Sequence, residues 1–518
     1  MKKTLGIAVL MAQAVVSSGI QADSCDCTVT SHTFFSARPL YQSASPERVS
    51  LFHRPMVKEG GHGGAMQFVL FGGKTRRNDD LAKFFTPFCK TKLLILEDER
   101  IADADLIAHN FNIFTKAQGA EDQATFESTI TIEPRQNVFG LGFTYRQNLS
   151  QLFWDDADCE YPWWFEISTP LTRIENRVDL GEAIEHDGGG AAQVTGLPEE
   201  QVLFDSMKAA FNQKLWKYGK INDGNKMKKT RLADIELKLG YQWVNTECCG
   251  AESYIGLHIP TGNRPHAEYL FEPIVGANQH WGVMWGTSAY FDVWQNDCVA
   301  FNFYIDLAAK YMFSGRERRS FDLKYKPWSR YLSVYESFEQ ATLANANADT
   351  FGIQLASPGI NFFTQDLKVK PGFSHTINSA IELVSECFNL ELGLNVFARQ
   401  AECVRLRESF PTGIAIRSSE GQGKTNIYKT INEDFAELDV VYGQSNYEST
   451  AITESDIDLN SAAHPAMITH TLYGALGYKF EDCCCYPMFI GLGGSYEMSR
   501  DNAGMHRWTL WGKFGFSF

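Results

Sequence analysis

Ionisable side chains occupy every second position in several apolar stretches of this chain. In the segment 234–243, Asp234, Glu236 and Lys238 alternate with Ile235 and Leu237. Successive side chains of a strand point to opposite faces, so the charged groups share one face. Such a face suits a water-filled lumen that passes ions or polar solutes. The residues that we expect to line it are Asp234, Glu236, Lys238, Asn302, Asp306, Lys310, Asn378, Glu382, Asn389, Glu391, Asn395 and Arg399.

Signatures of catalysis are weak in this sequence. The stretch 418–425 ends in Gly-Lys-Thr like a phosphate-binding loop, but Ser418 stands where that motif requires a glycine, and no strand–loop–helix context surrounds it. His53 and His62 flank a glycine-rich run, where histidines more often bind nothing than a metal. The chain has no G-x-S-x-G nucleophile element. We therefore expect no enzymatic activity, no catalytic residue, no metal and no cofactor.

Period-two alternation recurs along most of the chain and predicts a set of strands. We expect about fourteen, with twelve to sixteen left open, and a hairpin across Glu133-Pro-Arg-Gln136. Short turns alternate with long connections, which is typical of an all-β transmembrane antiparallel up-and-down barrel with short periplasmic turns and long extracellular loops. The expected strands are 66–71, 105–114, 125–132, 137–145, 163–171, 234–243, 255–259, 281–293, 301–311, 376–383, 388–399, 471–480, 488–495 and 508–518.

The first residues divide into two parts. Residues 1–22 have a charged start with Lys2 and Lys3, a short apolar core and small residues before Asp23, which predicts a secretory signal peptide. Residues 23–63 lack regular alternation and are either a plug in the barrel or a periplasmic tail. The barrel itself is expected over 64–518. Export through a signal peptide predicts a Gram-negative cell and a location in its outer membrane.

Twelve cysteines fall mostly in the short turns. An exported chain meets an oxidising compartment, which favours disulfides over thiols. The clusters Cys25-Asp-Cys27 and 483–485 lack the spacing of structural zinc sites. We expect disulfides that clamp the periplasmic rim, with pairing left open. The candidates are Cys159, Cys248, Cys249, Cys298, Cys387, Cys483, Cys484 and Cys485.

The last strand ends in alternating aromatic and apolar residues, and the chain as a whole is acidic, with a formal net charge of −15. That charge argues against nucleic acid as a partner. The signal segment, the alternating strands and the terminal pattern resemble Gram-negative outer-membrane β-barrel proteins of the porin-like kind. The cysteine content is similar to cysteine-rich porins of intracellular bacteria. The resemblance implies a terminal signal for the barrel-assembly machinery at Trp508, Phe514, Phe516 and Phe518.

Three functions follow from such a barrel. The first is a porin-like channel for passive diffusion of small solutes or ions, with mild cation preference because acidic lining groups outnumber basic ones. The second is a fourteen-stranded uptake channel for hydrophobic compounds, plugged by the N-terminal segment. The third is a structural or adhesive protein whose loops are the working surface. Outer-membrane lipid, the assembly machinery and small solutes are the expected partners, and a homo-oligomer is left open.

Overall fold

The computed structural model describes the chain in twelve stretches. These are residues 31–52, 63–96, 105–111, 113, 126–153, 163–187, 203–246, 248–296, 298–341, 356–419, 447–480 and 487–518. The predicted signal peptide, His53, His62 and most of the stretch 418–425 lie outside them. Within the described stretches, every helix is too short or too polar to cross a bilayer.

Strands dominate the structure. In chain order they are β1 Gly64–Arg76, β2 Lys92–Leu96, β3 Leu106–Ile107, β4 Phe126–Asn148, β5 Trp163–Asp187, β6 Met227–Leu232, β7 Ile235–Asn245, β8 Cys249–Ile259, β9 Gly282–Gln295, β10 Val299–Met312, β11 Gly315–Ser320, β12 Asp322–Leu323, β13 Ser333–Val334, β14 Ser357–Pro358, β15 Thr364–Lys370, β16 Gly372–Ser385, β17 Phe388–Arg399, β18 Cys403–Leu406, β19 Ala415–Ser419, β20 Tyr447–Ala451, β21 Ile457–Asp458, β22 Met467–Phe480, β23 Met488–Ser499 and β24 His506–Ser517. The α-helices are α1 Pro46–Val49, α2 Asn78–Phe85, α3 Leu149–Phe153 and α4 Met207–Ala210.

Twelve antiparallel strands close into a ring. Their order is β4-β1-β24-β23-β22-β17-β16-β10-β9-β8-β7-β5, and the β4–β5 pairing completes the circle. The first strand lies beside the last, and the Gly64 amide donates to the Phe518 carbonyl at 3.0 Å. A closed ring leaves no unpaired strand edge, which is what a sheet in hydrocarbon requires. The expected all-β antiparallel barrel is confirmed.

The predicted hairpin across 133–136 is wrong, because the chain runs through it as the 23-residue strand β4. Pro134 would break a strand paired on both sides. Here β4 pairs with β2 up to Thr131 and with β1 only from Asn137, so the proline lies in a gap between the two ladders. A proline at such an edge position removes no ladder hydrogen bond on that side.

The predicted strand 105–114 is also wrong. It holds only the two-residue β3 and a 3-10 helix, Ala108–Phe111, outside the ring. Its apolar residues belong to a different core, since Leu106 and Phe111 are fully buried away from the barrel wall. These two corrections reduce the predicted fourteen barrel strands to twelve.

An apolar belt surrounds the barrel. The row Leu390, Leu476 and Leu492 crosses three neighbouring strands in register, and these side chains are 39%, 63% and 71% exposed. Similar residues project on the other side, including Leu239 and Leu257. A continuous exposed apolar surface is unfavourable in water and favourable in lipid. The barrel therefore has the exterior of a membrane-spanning protein.

The two ends of the barrel differ. We call the end with the β7–β8, β9–β10, β16–β17 and β22–β23 turns, together with Phe518, the turn end. The opposite end, which carries the long connections, is the loop end. There the connections fold into a cap with its own core, which includes Phe84, Phe211, Trp328 and Phe363, each fully buried. The hairpin β4–β5 and the three-stranded sheet β11-β15-β18 extend into this cap.

The cysteines differ from expectation. Cys248, Cys249, Cys298 and Cys387 are free thiols, so the predicted clamp is not formed at these four positions. They lie at the tips of separate hairpins, and each tip projects from its own pair of strands. Cys159 and Cys483–Cys485 lie outside the described residues, as does the partner of the disulfide-bonded Cys89.

Candidate functional site in the barrel lumen

Residues 31–52, which we call the lumen segment, run from the cap through the barrel toward the turn end. The Thr33 amide donates to the Ser461 carbonyl in the cap at 2.9 Å. Midway, Asn395 on β17 donates to the Ala44 carbonyl at 2.7 Å. Near the turn end, the Phe52 ring lies 5.9 Å from that of Phe489. The segment therefore occupies the interior along its length.

A buried ion cluster holds the middle of this segment. Arg48 forms ion pairs with Glu166 on β5 and Glu236 on β7, the latter at 2.5 Å. Lys238 lies 3.0 Å from Glu166, and Lys310 lies 2.8 Å from Glu236. Two carboxylates are thus shared among three cations in a site closed to solvent. Removal of either carboxylate would leave buried cations uncompensated.

A second cluster binds the segment closer to the cap. Arg38 donates to Thr471 at 3.0 Å and to Asn395 at 2.8 Å. Its guanidinium also lies 3.6 Å from Glu497, and Glu497 pairs with Arg507 at 2.6 Å. Arg507 returns a hydrogen bond to the Arg38 carbonyl at 3.2 Å. Both the side chain and the backbone of Arg38 are therefore fixed by the wall.

The wall also binds the backbone of the segment near the turn end. Glu391 accepts a hydrogen bond from the Leu51 amide at 2.6 Å, and Lys513 donates to the Arg48 carbonyl at 3.0 Å. Gln67 donates to the same carbonyl at 3.0 Å. Polar wall groups thus replace the water that an irregular backbone would otherwise bind.

Wall glycines make room for side chains of the segment. A Cβ at Gly142 would lie 2.3 Å from the Tyr41 ring, and one at Gly491 would lie 2.5 Å from the Leu51 side chain. A methyl group at either position would collide with the segment. The alternation of small and polar residues on these strands therefore matches the shape of what lies inside.

All twelve residues that the sequence proposed as pore lining are buried, at 0–9% exposure. Most contact the wall or the segment in place of water. Glu382 accepts from Asn302 at 3.1 Å and from Asn389 at 2.6 Å, while Asn378 donates to Asp306 at 3.3 Å. A wet pore lined by them is therefore absent from the described residues. Their role in conduction stays a prediction.

Asp234 holds the β8–β9 connection in place. Its carboxylate accepts from the amides of Thr261 and Ala277, at 3.1 and 2.6 Å, and pairs with His258 at 3.1 Å. These bonds fold the β8–β9 connection over the barrel edge. Arg399 similarly donates to the Ser36 side chain and carbonyl, both at 3.0 Å.

Several lumen groups were missed from the sequence. Glu166 and Lys513 alternate with apolar residues in strands that were recognised, so the same pattern could have identified them. Arg38 and Arg48 lie in an irregular segment and carry no periodic signal. Their role appears only when the segment is found inside the barrel.

A cavity of about 70 Å³ remains beside Arg48, Glu252 and Asp306. About 10–15 Å³ of such a cavity holds one water, so this space has room for only a few waters. It is too small for a sugar or an amino acid. The barrel interior beside Arg48 is therefore filled by described side chains.

A third charged cluster, which lies in the cap, holds the start of the lumen segment. Arg319 lies 3.0 Å from Glu317 and 2.5 Å from Glu402, and its guanidinium covers the Phe34 ring at 3.5 Å. Burial opposes the ionisation of Glu402, but Arg319 lowers the pKa of this carboxyl to about 2. Burial lowers the pKa of His32 to about 4. The cap site therefore keeps Glu402 charged and His32 neutral near neutral pH.

The terminal strand β24 closes the ring against β1. Phe514 is 41% exposed on the belt, and the Phe518 ring lies 6.5 Å from that of Tyr145. Trp508 and Phe516 are partly buried on the same face. Recognition of these residues by an assembly machinery stays a prediction.

No protein-family profile matches the chain, and no curated protein matches its sequence. Solved structures similar to it include an outer membrane channel from Pseudomonas putida F1, with 10% identity, coverage of 93% of this chain and 99% of that one, and a TM-score of 0.35. A second is the transport unit of the autotransporter AIDA-I from Escherichia coli, with 7% identity, coverage of 90% and 94%, and a TM-score of 0.33. A third is a Pseudomonas aeruginosa FadL homologue, with 7% identity, coverage of 88% and 89%, and a TM-score of 0.25.

These neighbours are outer-membrane β-barrel proteins, and this chain is itself a closed β-barrel. TM-scores this low do not establish a shared arrangement of strands. The architecture is therefore assigned from the chain's own hydrogen-bonded ring and apolar belt. The architectural resemblance expected from the sequence is confirmed at this level.

Proposed function

We propose that the protein is an outer-membrane channel for small polar solutes, closed at rest by its lumen segment. The observation that carries this proposal is the position of residues 31–52, bound by wall charges along the interior. The belt supports a membrane location, and the short turns support a periplasmic turn end. We propose no enzymatic role.

The charges of the wall indicate which solutes an open state would favour. Among the buried and half-buried groups of the described wall that face inward, carboxylates outnumber cations. Arg48 and Arg38 of the lumen segment offset part of this excess of negative charge, and Glu47 of the same segment adds one negative charge. Release of the segment leaves a lumen with a surplus of carboxylates, which favours cations over anions.

The test is planar-bilayer conductance of refolded protein. We compare the full chain with a variant in which residues 31–52 are replaced by a Gly/Ser linker of equal length. The variant should conduct strongly with cation preference, while the full chain should be mostly closed. Heat-modifiability gels show whether each barrel has folded. A folded linker variant that conducts no more than the full chain would refute the proposal.

The lining assignment has its own test in the linker variant. Charge reversal of Asp306, Glu236 and Glu391 should move the reversal potential toward anions. Reversal of Glu133, which is exposed in the cap sheet, is the matched control and should leave it unchanged. An unchanged potential in the triple variant would reject these residues as pore lining.

Uptake of hydrophobic compounds is the weaker alternative. Phe34 and Phe35 of the segment would favour it, but both are buried, Phe34 beneath Arg319 and Phe35 at 4.9 Å from Phe84. The cavity beside them has a volume of about 30 Å³, which has room for only a few waters. An adhesive role of the cap remains the third proposal, since its folded core gives it a defined outer surface.

A further inference from the structure

Cations concentrate at the loop end immediately beyond the apolar belt. The strands β11, β15 and β18 continue β10, β16 and β17 past the membrane boundary. That boundary is marked by Phe313 and Phe373, which are 45% and 39% exposed, and by Tyr311, whose ring lies 5.6 Å from the Lys370 amine. The sheet beyond this line thus begins at the depth of lipid head groups.

Three cations lie side by side on the exposed face of this sheet. Arg316 pairs in register with Lys368, and Lys368 pairs with Arg405. All three are exposed. Like charges directly opposite on adjacent strands destabilise a sheet unless an anion lies between them. Asp366 pairs with Arg316, but Lys368 and Arg405 have no ion pair within the described stretches.

The opposite side of the ring repeats this arrangement. There the belt includes the exposed row Leu70, Leu141, Leu171 and Leu232 on β1, β4, β5 and β6, and it continues to Phe139 on β4, which is 55% exposed. Two residues further along β5, Arg173 is exposed opposite Phe139.

Beyond Arg173 the sheet carries another pair of opposed cations. Arg135 on β4 pairs in register with Arg177 on β5, and both form ion pairs with Asp179, at 3.3 and 3.2 Å, while Arg135 also pairs with Glu133 at 2.6 Å. Lys226 and Lys228 continue the basic surface, sharing Glu175 at 2.9 and 3.8 Å.

We propose that these two surfaces bind the phosphate groups of lipids in the leaflet at the loop end. The basic surfaces are Arg316, Lys368 and Arg405 on one side, and Arg135, Arg173 and Arg177 on the other. The chain carries a net charge of −15, so a local surplus of cations runs against its overall balance. Guanidinium groups bind phosphate through paired hydrogen bonds, and cations near a membrane surface attract anionic lipid.

The position of the surfaces selects a lipid over a soluble anion. Both start within a few residues of exposed belt side chains, so acyl chains would lie on the belt while the head group meets the cations. A free phosphate would contact the cations but not the belt. This inference rests on the proposed membrane location but is independent of whether the lumen conducts.

The test uses the refolded full chain in phosphatidylcholine vesicles with and without phosphatidic acid. Native mass spectrometry counts the retained phosphatidic acid. The variant Arg316→Gln/Lys368→Gln/Arg405→Gln is compared with Lys214→Gln/Lys217→Gln, two exposed cap lysines away from these surfaces. Each cation near the surface is worth about a fivefold change in affinity, so the surface altered in the triple variant should lose roughly a hundredfold in affinity, while the second surface is unchanged.

The expected result is that the wild type and the lysine control retain the same count of phosphatidic acid, while the triple variant loses the lipid bound at its altered surface and keeps that at the second surface. Equal retention by all three would overturn the proposal, as would competition by millimolar inorganic phosphate that removes the lipid completely. Heat-modifiability in the same samples separates these outcomes from a barrel that fails to insert. If insertion fails, the membrane location itself is wrong.

Discussion

The lumen segment is held in two different ways along its length. In the cap, Phe35 packs among aromatic rings, 4.9 Å from Phe84 and 6.0 Å from Phe271. In the barrel, Arg48 is held by carboxylates. Aromatic burial stabilises through the area removed from water. A buried ion cluster recovers little beyond its desolvation cost, but it penalises any arrangement that leaves one charge unpaired. Contacts in the cap therefore stabilise the bound segment, and the ion pairs in the lumen fix its position.

Loss of the cap contact should have the largest effect. Phe35→Ala removes a buried aromatic side chain, which costs about 3–5 kcal/mol. We expect the start of the lumen segment to detach, measured as protease cleavage within residues 31–38 in detergent. The control is Phe338→Ala, since that side chain is 50% exposed. Equal protection of Phe35→Ala and wild type would show that the cap does not anchor the segment.

The ion pairs of Arg48 should have the next largest effect. Arg48→Met removes the cluster member that belongs to the segment and leaves Glu166 and Glu236 with one lysine each, so the segment loses both ion pairs, at a cost of about 3 kcal/mol. We expect frequent openings in bilayer recordings. Lys238→Met leaves both Arg48 ion pairs in place and is the control, which should open less often. Equal opening of the two variants would show that the Arg48 ion pairs do not retain the segment.

Acid should weaken the cap through His32. Burial lowers its pKa from 6.5 to about 4, so its contribution to stability is present above pH 6.5 and is lost as the pH falls toward 4. At pH 5 the loss is about 2 kcal/mol. Protease resistance of the cap should therefore fall between pH 6.5 and 4, and His32→Phe, which keeps the stacking on Phe84, should flatten the profile.

His280 gives the opposite slope and serves as the control. Glu317 holds the pKa of His280 above its usual value against the effect of burial, so its contribution is complete below pH 6.5 and is lost as the pH rises through the raised pKa. His280→Gln should therefore leave the loss between pH 6.5 and 4 unchanged and remove only the loss above pH 6.5. A changed acid profile in that variant would contradict the assignment of the two histidines.

We expect the smallest effect from a substitution that disturbs the packing between the wall and the lumen segment. Gly491→Ala forces the Leu51 side chain to move, which costs about 1–3 kcal/mol and should raise the open probability modestly. Gly512→Ala is the matched control, because its Cβ would meet nothing closer than 3.5 Å. Identical recordings from both variants would mean that Leu51 does not close the turn end.

The sequence predicted the strands of the barrel wall better than the segment that lies inside the barrel. Alternation of Asp234, Glu236 and Lys238 with apolar residues is a direct result of strand geometry, so the inward and outward faces could be read from it. Phe111 also lies in an apolar pattern, but tertiary packing in the cap decides its place. Pro134 was taken for a turn because only the pairing of neighbouring strands shows that it lies at a gap.

Pattern analysis left the N-terminal segment open as a plug or a tail, and it predicted disulfides where the structure has free thiols. Arg48 is recognisable as a wall contact only when Glu166 and Glu236, far away in the chain, are known to converge on it. Whether Cys248 and Cys298 meet depends likewise on the spacing of separate hairpins.

The pairing of β1 with β24, which forms the seam of the ring, also constrains the order in which the protein assembles. Residue 31 lies at one mouth of the ring and Gly64 begins the wall at the other, so the strand that follows the segment is itself half of the seam. Once that seam has paired, the segment would have to be threaded lengthwise through a closed ring. We therefore expect the segment to enter the barrel before β1 pairs with β24 during assembly.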